Sequence, residues 1–214
     1  MSLNRVRRRG LAGLVFLGAA ILAAPSEATS VRQMNVVDLL EHSATIVAGN
    51  VEKVSDGFDA NGVPYTEVTL KVTDPIRGAQ GDHHTFRQYG LTTTRKERDG
   101  RILMAGAPEG WPTWHVGETA VVFLYPKAKQ TGLQTTVGLG YGKMSVGNGR
   151  ALNGYDNEGL FRNVKVKSGV LTEEERAMFT TVKGPVDAEA LRGMLRRAVA
   201  EKWVESGRIS NAKR

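Results

Sequence analysis

The chain has 214 residues, of which 41% are hydrophobic and 24% charged, and a formal net charge of +7. This length and balance predict one folded domain with a sizeable core, with or without an appendage, and exclude a wholly disordered chain. The absence of cysteine excludes disulfides, thiolate metal sites and a cysteine nucleophile.

The first 28 residues have the order of a secretory signal peptide. Four arginines within residues 5–9 precede an uncharged apolar run over residues 10–24, and the small residues Ser26 and Ala28 suit cleavage before Thr29. The run has about 15 residues, fewer than the roughly 20 of a membrane-spanning helix, and no later run is long enough. We therefore expect export to the periplasm or the medium after cleavage near Ala28, and no transmembrane segment afterwards. A retained N-terminal anchor is the alternative.

Cleavage of residues 1–28 changes the charge distribution. It removes four arginines and one glutamate and lowers the net charge from +7 to +4. Residues 192–214 alone carry seven basic and two acidic residues, so the rest of the mature chain is close to neutral. An exported chain with a neutral body and a basic tail does not have the charge pattern of a nucleic-acid-binding domain.

The N-terminal part of the mature chain predicts a short helix followed by a β-hairpin. Apolar residues share one side of a helix over residues 34–42. Residues 45–54 are rich in β-branched side chains and predict a strand, with Gly49 at a bulge or close approach. Asn61-Gly62 predicts a tight turn into residues 65–72, where apolar and polar side chains alternate as in a half-buried strand.

The remainder predicts further strands and then helices. Residues 85–89, 119–125 and 133–146 have strand patterns, and 119–125 is the most apolar, so we expect it in the middle of the sheet. A short helix is predicted after residue 172 and an amphipathic one over 187–204. The expected N-caps of the three helices are Asn35, Thr172 and Asp187.

These elements predict a mainly β protein, a small antiparallel OB-like β-barrel with a short N-terminal helix and C-terminal helices. The expected order along the chain is a signal peptide over residues 1–28, the β-barrel domain over 29–168, a C-terminal helical appendage over 169–206 and a flexible tail over 207–214.

The strand and turn motifs over residues 34–150 resemble a known group of sequences. The motifs are residues 46–51, 64–72, 76–78, 116–124 and 137–144. They are similar to exported bacterial proteins of uncharacterised function with an OB-like barrel of the tissue-inhibitor-of-metalloproteases (netrin-like) type. The resemblance implies this fold and, by analogy, an exported protease as partner. The inhibitors ligate the protease zinc through an N-terminal cysteine, which this chain lacks, so no functional residue is carried over.

Metal and nucleophile chemistry is not indicated. Asp82, His83 and His84 form the best metal-like cluster, but adjacent residues of a strand would point to opposite faces and could not readily chelate one ion. In a turn the two histidines could do so with His115 as a third ligand, yet no H-x-H or H-x-x-x-H spacing supports this, and we expect solvated turn residues before a strand. No Gly-x-Ser-x-Gly motif is present. The glycine-rich run 138–143 departs from a phosphate-binding loop, because Val137 and Met144 occupy positions that need glycine and Ser or Thr.

The loop around residues 56–62 departs in the same way from a calcium-binding loop, because both anchoring carboxylates are missing. We therefore predict no catalytic, cofactor or metal site.

One loop has the composition of a binding surface. Trp111, Trp114 and His115 lie together before a strand, and tryptophan is enriched where proteins bind partners or sugars. The preceding loop is basic, so the two could form an edge for an acidic partner. The predicted partner-binding residues are Trp111, Trp114, His115, Arg95, Arg98 and Arg101.

The favoured function is an exported non-enzymatic binding protein that engages a protein or a cell-envelope polymer through its barrel loops. The alternative is a cell-envelope hydrolase with a site on the barrel rim, using His83, His84 or His115 as base beside Asp82 or Glu118. A nucleic-acid binder of the OB type needs more strand aromatics interleaved with basic residues, and export argues against nucleic acid as the partner. The basic helix could meet an anionic surface, although one apolar face suits packing on the barrel.

Overall fold

A computed structural model describes residues 32–96, 100, 102–103, 106 and 110–212. The signal peptide predicted over residues 1–28 lies outside these residues, as do Arg98 and Arg101 of the predicted binding edge. Within the described ranges no helix is both long enough and apolar enough to cross a membrane.

The described chain is mainly antiparallel β-structure, as the sequence predicted. The strands are β1 (Thr45–Phe58), β2 (Pro64–Arg77), β3 (His83–Tyr89), β4 (Arg95–Lys96), β5 (Ile102–Leu103), β6 (Thr119–Leu124), β7 (Lys143–Gly147), β8 (Arg150–Asn153), β9 (Val164–Val166), β10 (Val186–Asp187) and β11 (Ile209–Asn211). The helices are α1 (Val36–His42), α2 (Glu173–Phe179) and α3 (Ala188–Ala200), with a 3-10 helix at Leu139–Gly142.

Seven strands form one sheet in the order β10-β8-β7-β6-β1-β2-β3, and β9–β11 and β4–β5 form two small pairs. The apolar strand β6 lies in the middle of the large sheet, as predicted. The region 133–146 differs from the predicted strand pair, because its glycines form the 3-10 helix. A Cβ at Gly142 would lie 2.4 Å from the Val137 carbonyl oxygen, so only glycine permits this close turn.

The β1–β2 hairpin follows from local sequence. Asp59 accepts hydrogen bonds from the amides of Asn61 and Val63 and closes the turn, and Gly62 has a φ of 77°. At Gly49 the register shifts, and a Cβ there would lie 2.4 Å from the Lys71 carbonyl oxygen. The bulge and close approach predicted at Gly49 are both confirmed.

The large sheet has a hydrophobic cluster on each face. One face is covered by α1 and α3, whose buried residues include Leu39, Leu40, Leu191 and Met194. Each such side chain contributes about 2 kcal/mol when fully buried. The other cluster holds nine buried side chains: Val47, Val51, Val68, Leu70, Phe86, Trp114, Ala120, Val122 and Leu124.

The helices begin where the capping residues predict. Asn35 and Thr172 form capping boxes at the starts of α1 and α2, and Asp187 accepts from the Ala190 amide at the start of α3. These contacts satisfy amides that would otherwise lack partners in the first turn.

The end of the chain differs from the flexible tail expected over residues 207–214. Ile209–Asn211 form β11, which pairs with β9, and Ile209 is only 1% exposed. The side-chain amide of Asn211 makes two hydrogen bonds. Its Nδ2 donates to Asp38 Oδ1 at 2.9 Å, and its Oδ1 accepts from Asn35 Nδ2 at 2.7 Å. One apolar residue and one asparagine thus anchor a segment whose composition is otherwise polar.

Candidate functional site

The segment Gly110–His115, here named the Trp111 loop, is fixed by contacts along its length. The Gly140 amide donates to the Gly110 carbonyl at 2.9 Å. The side-chain amide of Gln88 donates to the Pro112 carbonyl at 3.1 Å, and the Lys143 ammonium donates to the Thr113 carbonyl at 2.6 Å. The 3-10 helix, β3 and β7 each bind one carbonyl of the loop. The loop therefore presents its side chains in one geometry.

Trp114 points into the protein. It is 4% exposed, and its ring makes an edge-to-face contact with Phe86 at 5.2 Å between centroids. Its indole N–H donates to Gln88 Oε1 at 2.9 Å, and the Lys143 ammonium lies 4.7 Å from its ring centroid. Trp114 therefore supports the Trp111 loop from beneath, and its ring is not placed for contact with a partner.

Lys143 and Glu118 form an ion pair beside the Trp111 loop. The Lys143 ammonium donates to both oxygens of the Glu118 carboxylate at 2.7 and 2.8 Å, and the two side chains are 8% and 18% exposed. With Thr113, these contacts occupy the three donors of the ammonium. All three are directed at these partners, so Lys143 is not arranged as a base for the nearby Ser145.

Trp111 is partly buried and joins a row of aromatic side chains. Its ring lies 6.4 Å from that of Tyr89, which is 43% exposed, and Tyr89 is the cross-strand partner of Tyr65 on β2. The guanidinium of Arg87 lies 4.4 Å above the Tyr65 ring and pairs with Glu67 at 2.7 Å. We name Tyr65, Tyr89 and Trp111 the aromatic strip.

A cleft of about 360 Å³ adjoins Trp111 on the side of β7 and β8. The side chains that line it include Trp111, Thr113, Lys143, Ser145, Leu152 and Tyr155. Tyr155 is stacked on Tyr141 at 4.2 Å, and its amide donates to Asn153 Oδ1, which fixes the turn that carries it. This space, here named the Trp111 cleft, has the size of a small-molecule site and mixes aromatic with hydroxyl groups.

Asp56 ties the chain after β3 to β1. Its carboxylate accepts hydrogen bonds from the amides and hydroxyls of Thr92 and Thr93, at 2.8 to 3.1 Å. Burial acts to raise the pKa of Asp56, but these hydrogen bonds outweigh it and lower the pKa below its ordinary value. The charged carboxylate therefore secures the base of the long connection that leads to the Trp111 loop.

Asp56→Asn should lower the free energy of unfolding by about 1 kcal/mol at pH 7, a modest cost because the site is partly exposed. A lowered pKa in the folded state gives stability that is present above the pKa of the unfolded chain, about 3.9, and is lost as the pH falls through the folded value. The difference in the free energy of unfolding between the parent and Asp56→Asn should therefore become smaller below about pH 4. Urea unfolding at several pH values measures it, with Asp82→Asn as the charge-matched control. A difference that stays constant down to about pH 2 would contradict this role.

The histidines have separate surroundings. His83 is exposed and contacts Glu52 at 2.9 Å, whereas His84 lies on the opposite face of β3 and stacks on Phe86. Burial and, secondarily, the charge of Lys127 lower the pKa of His84. His115 is exposed; its backbone amide donates to the Glu118 carboxylate at 2.9 Å, and its carbonyl accepts from the Glu118 amide at 3.2 Å. Among the described residues, no group of three or more histidine, aspartate or glutamate side chains could hold a metal ion.

The structure separates the residues of the predicted binding edge. Trp111 and His115 are at the surface, and Trp114 is in the core. Arg95 lies in β4, and Arg98 and Arg101 fall outside the described residues. Sequence reasoning did not find Tyr89, Lys143 or Tyr155, although Tyr89 stands at the end of a predicted strand and Lys143 ends the glycine-rich run.

No protein-family model matches this sequence, and comparisons with curated proteins and with solved structures likewise gave no match.

Proposed function

We propose that the chain is an exported, non-enzymatic binding protein that engages a cell-envelope partner through the Trp111 loop. The observation that carries this proposal is the contrast between the two tryptophans. Trp114 anchors the loop in the core, while Trp111 is only partly buried, ends the aromatic strip and lines a cleft of about 360 Å³. A large aromatic side chain held in place before binding loses little conformational freedom when a partner is bound.

The polar groups beside Trp111 support binding rather than hydrolysis. Glu118 and Lys143 are paired with each other, so neither is poised as a general base. His83 and His84 point to opposite faces of β3. A rim hydrolase would need two of these groups to meet around one substrate atom.

We propose further that the sheet curls into the OB-like barrel that the sequence resembles. The Gln134 amide donates to the Arg87 carbonyl at 2.7 Å, and the Tyr125 amide donates to Thr135. The segment after β6 thus reaches the free edge of β3, which supports closure. Export remains supported by the pattern of residues 1–28, and an exported protease as partner by the resemblance alone.

Trp111→Ala should weaken binding to the isolated envelope by about tenfold or more, because tryptophans in interfaces often carry a large share of the binding energy. Cosedimentation of the purified protein with sacculi and membranes measures this. Val182→Ala, which removes an exposed apolar side chain away from the Trp111 loop, is the control and should bind like the parent. Unchanged binding of Trp111→Ala, with unfolding also unchanged, would remove the loop from the proposed function.

A further inference from the structure

The aromatic strip offers flat apolar surfaces beside groups that both donate and accept hydrogen bonds. Tyr89 and Trp111 provide the accessible rings, because Tyr65 is covered by the Arg87 guanidinium on one side. A Cβ at Gly57 would lie 2.5 Å from the Tyr65 ring, so Tyr65 packs closely on the backbone of β1. The Arg87 guanidinium therefore lies over a fixed Tyr65 ring, and the Arg87 side chain is about half exposed.

The Trp111 cleft continues this surface with small polar groups. Thr113 and Ser145 line it, and Tyr155 provides a further aromatic side chain. Hydroxyl groups act as donor and acceptor alike, so they match ligands that carry many hydroxyls. The rings of the strip can pack against the C–H faces of such a ligand.

Among the described residues, the charges at the strip and the cleft are matched within the protein. Arg87 carries Glu67 as its partner, and Lys143 carries Glu118. Nucleic acids and anionic lipids are bound mainly by basic side chains that neutralise phosphates. The two cations described at the strip and the cleft are already neutralised, which favours an uncharged ligand.

We infer that the ligand is a neutral saccharide chain with vicinal hydroxyl groups, which packs on Tyr89 and Trp111 and places one sugar unit in the Trp111 cleft. This inference rests on the proposed envelope-binding function and specifies the chemistry of the partner. Arg87 and Glu67 provide a donor and an acceptor at one end of the strip, and Thr113 and Ser145 provide hydroxyls at the other.

The test compares isolated envelope that has been mock-treated, oxidised with periodate, or digested with protease. Periodate cleaves vicinal diols of sugars, whereas protease removes polypeptides. The measured quantity is the difference in binding between the parent and Trp111→Ala. This difference should disappear on envelope treated with periodate and persist on envelope treated with protease. It should also change by less than about threefold between roughly 50 and 500 mM salt, because no phosphate contact is involved.

Two further variants sharpen the comparison. Tyr89→Ala should weaken binding by about threefold to tenfold, and Trp111→Phe should retain more binding than Trp111→Ala because a ring remains. Trp111-dependent binding that survives periodate, or that is lost after protease or at high salt, would overturn the saccharide while leaving an envelope partner. Absence of any Trp111-dependent binding would instead overturn the proposed function itself.

Discussion

Replacing Trp114 with alanine is expected to lower the free energy of unfolding by about 3–5 kcal/mol, the range for loss of a large buried aromatic side chain. The ring belongs to the second hydrophobic cluster and contacts Phe86. Its removal leaves a cavity beneath the Trp111 loop and deprives the buried Gln88 carbonyl of its donor. An unsatisfied buried group adds to the cost of the cavity.

Chemical denaturation of three variants measures this effect. Trp114→Phe keeps a ring but loses the hydrogen bond to Gln88, so we expect a loss of about 1–3 kcal/mol. Trp111→Ala should lower the free energy of unfolding by about 1 kcal/mol or less, because the ring is only partly buried. Similar small effects of Trp111→Ala and Trp114→Ala would show that Trp114 is not a core residue.

The second large effect is expected at Lys143. Lys143→Met should lower the free energy of unfolding by about 2–3 kcal/mol, because it leaves the Glu118 carboxylate without its charged partner and the Thr113 carbonyl without its donor. This loss of stability is smaller than the loss expected on breaking a fully buried ion pair, because Glu118 is 18% exposed. The same substitution releases one of the contacts that hold the Trp111 loop, so envelope binding should also weaken.

A double-mutant comparison separates the charge from the packing. Glu118→Gln in the Lys143→Met background removes the unpaired carboxylate and should recover about 1 kcal/mol or more. Denaturant unfolding of the parent, the two single variants and the double variant provides the four values. A double variant whose loss equals the sum of the two single losses would show that Lys143 and Glu118 do not interact.

Local sequence was sufficient for much of the fold. The N-caps at Asn35, Thr172 and Asp187 are short-range hydrogen bonds, so their residue types alone identify the helix starts. The alternation in β2 indicates a strand with one fully buried side, and Gly49 indicates a close approach of two strands. Each pattern depends on neighbours within a few positions of the chain.

The site depends on contacts that no local pattern encodes. Trp111 and Trp114 are three residues apart and chemically identical, and only the packing of Phe86 and Gln88 beneath the loop decides which one is buried. The pairing of Tyr65 with Tyr89 depends on the register between β2 and β3. Ile209 and Asn211 join the fold through partners far along the chain, so their segment resembled a tail.

Binding of the parent protein and of Trp111→Ala to isolated envelope tests the central claim most directly. We expect the variant to remain fully folded, with at most a small shift in its unfolding midpoint, and to bind about tenfold more weakly or worse, while Val182→Ala binds normally. Equal affinity of the parent and a fully folded Trp111→Ala variant would contradict a binding role for this surface.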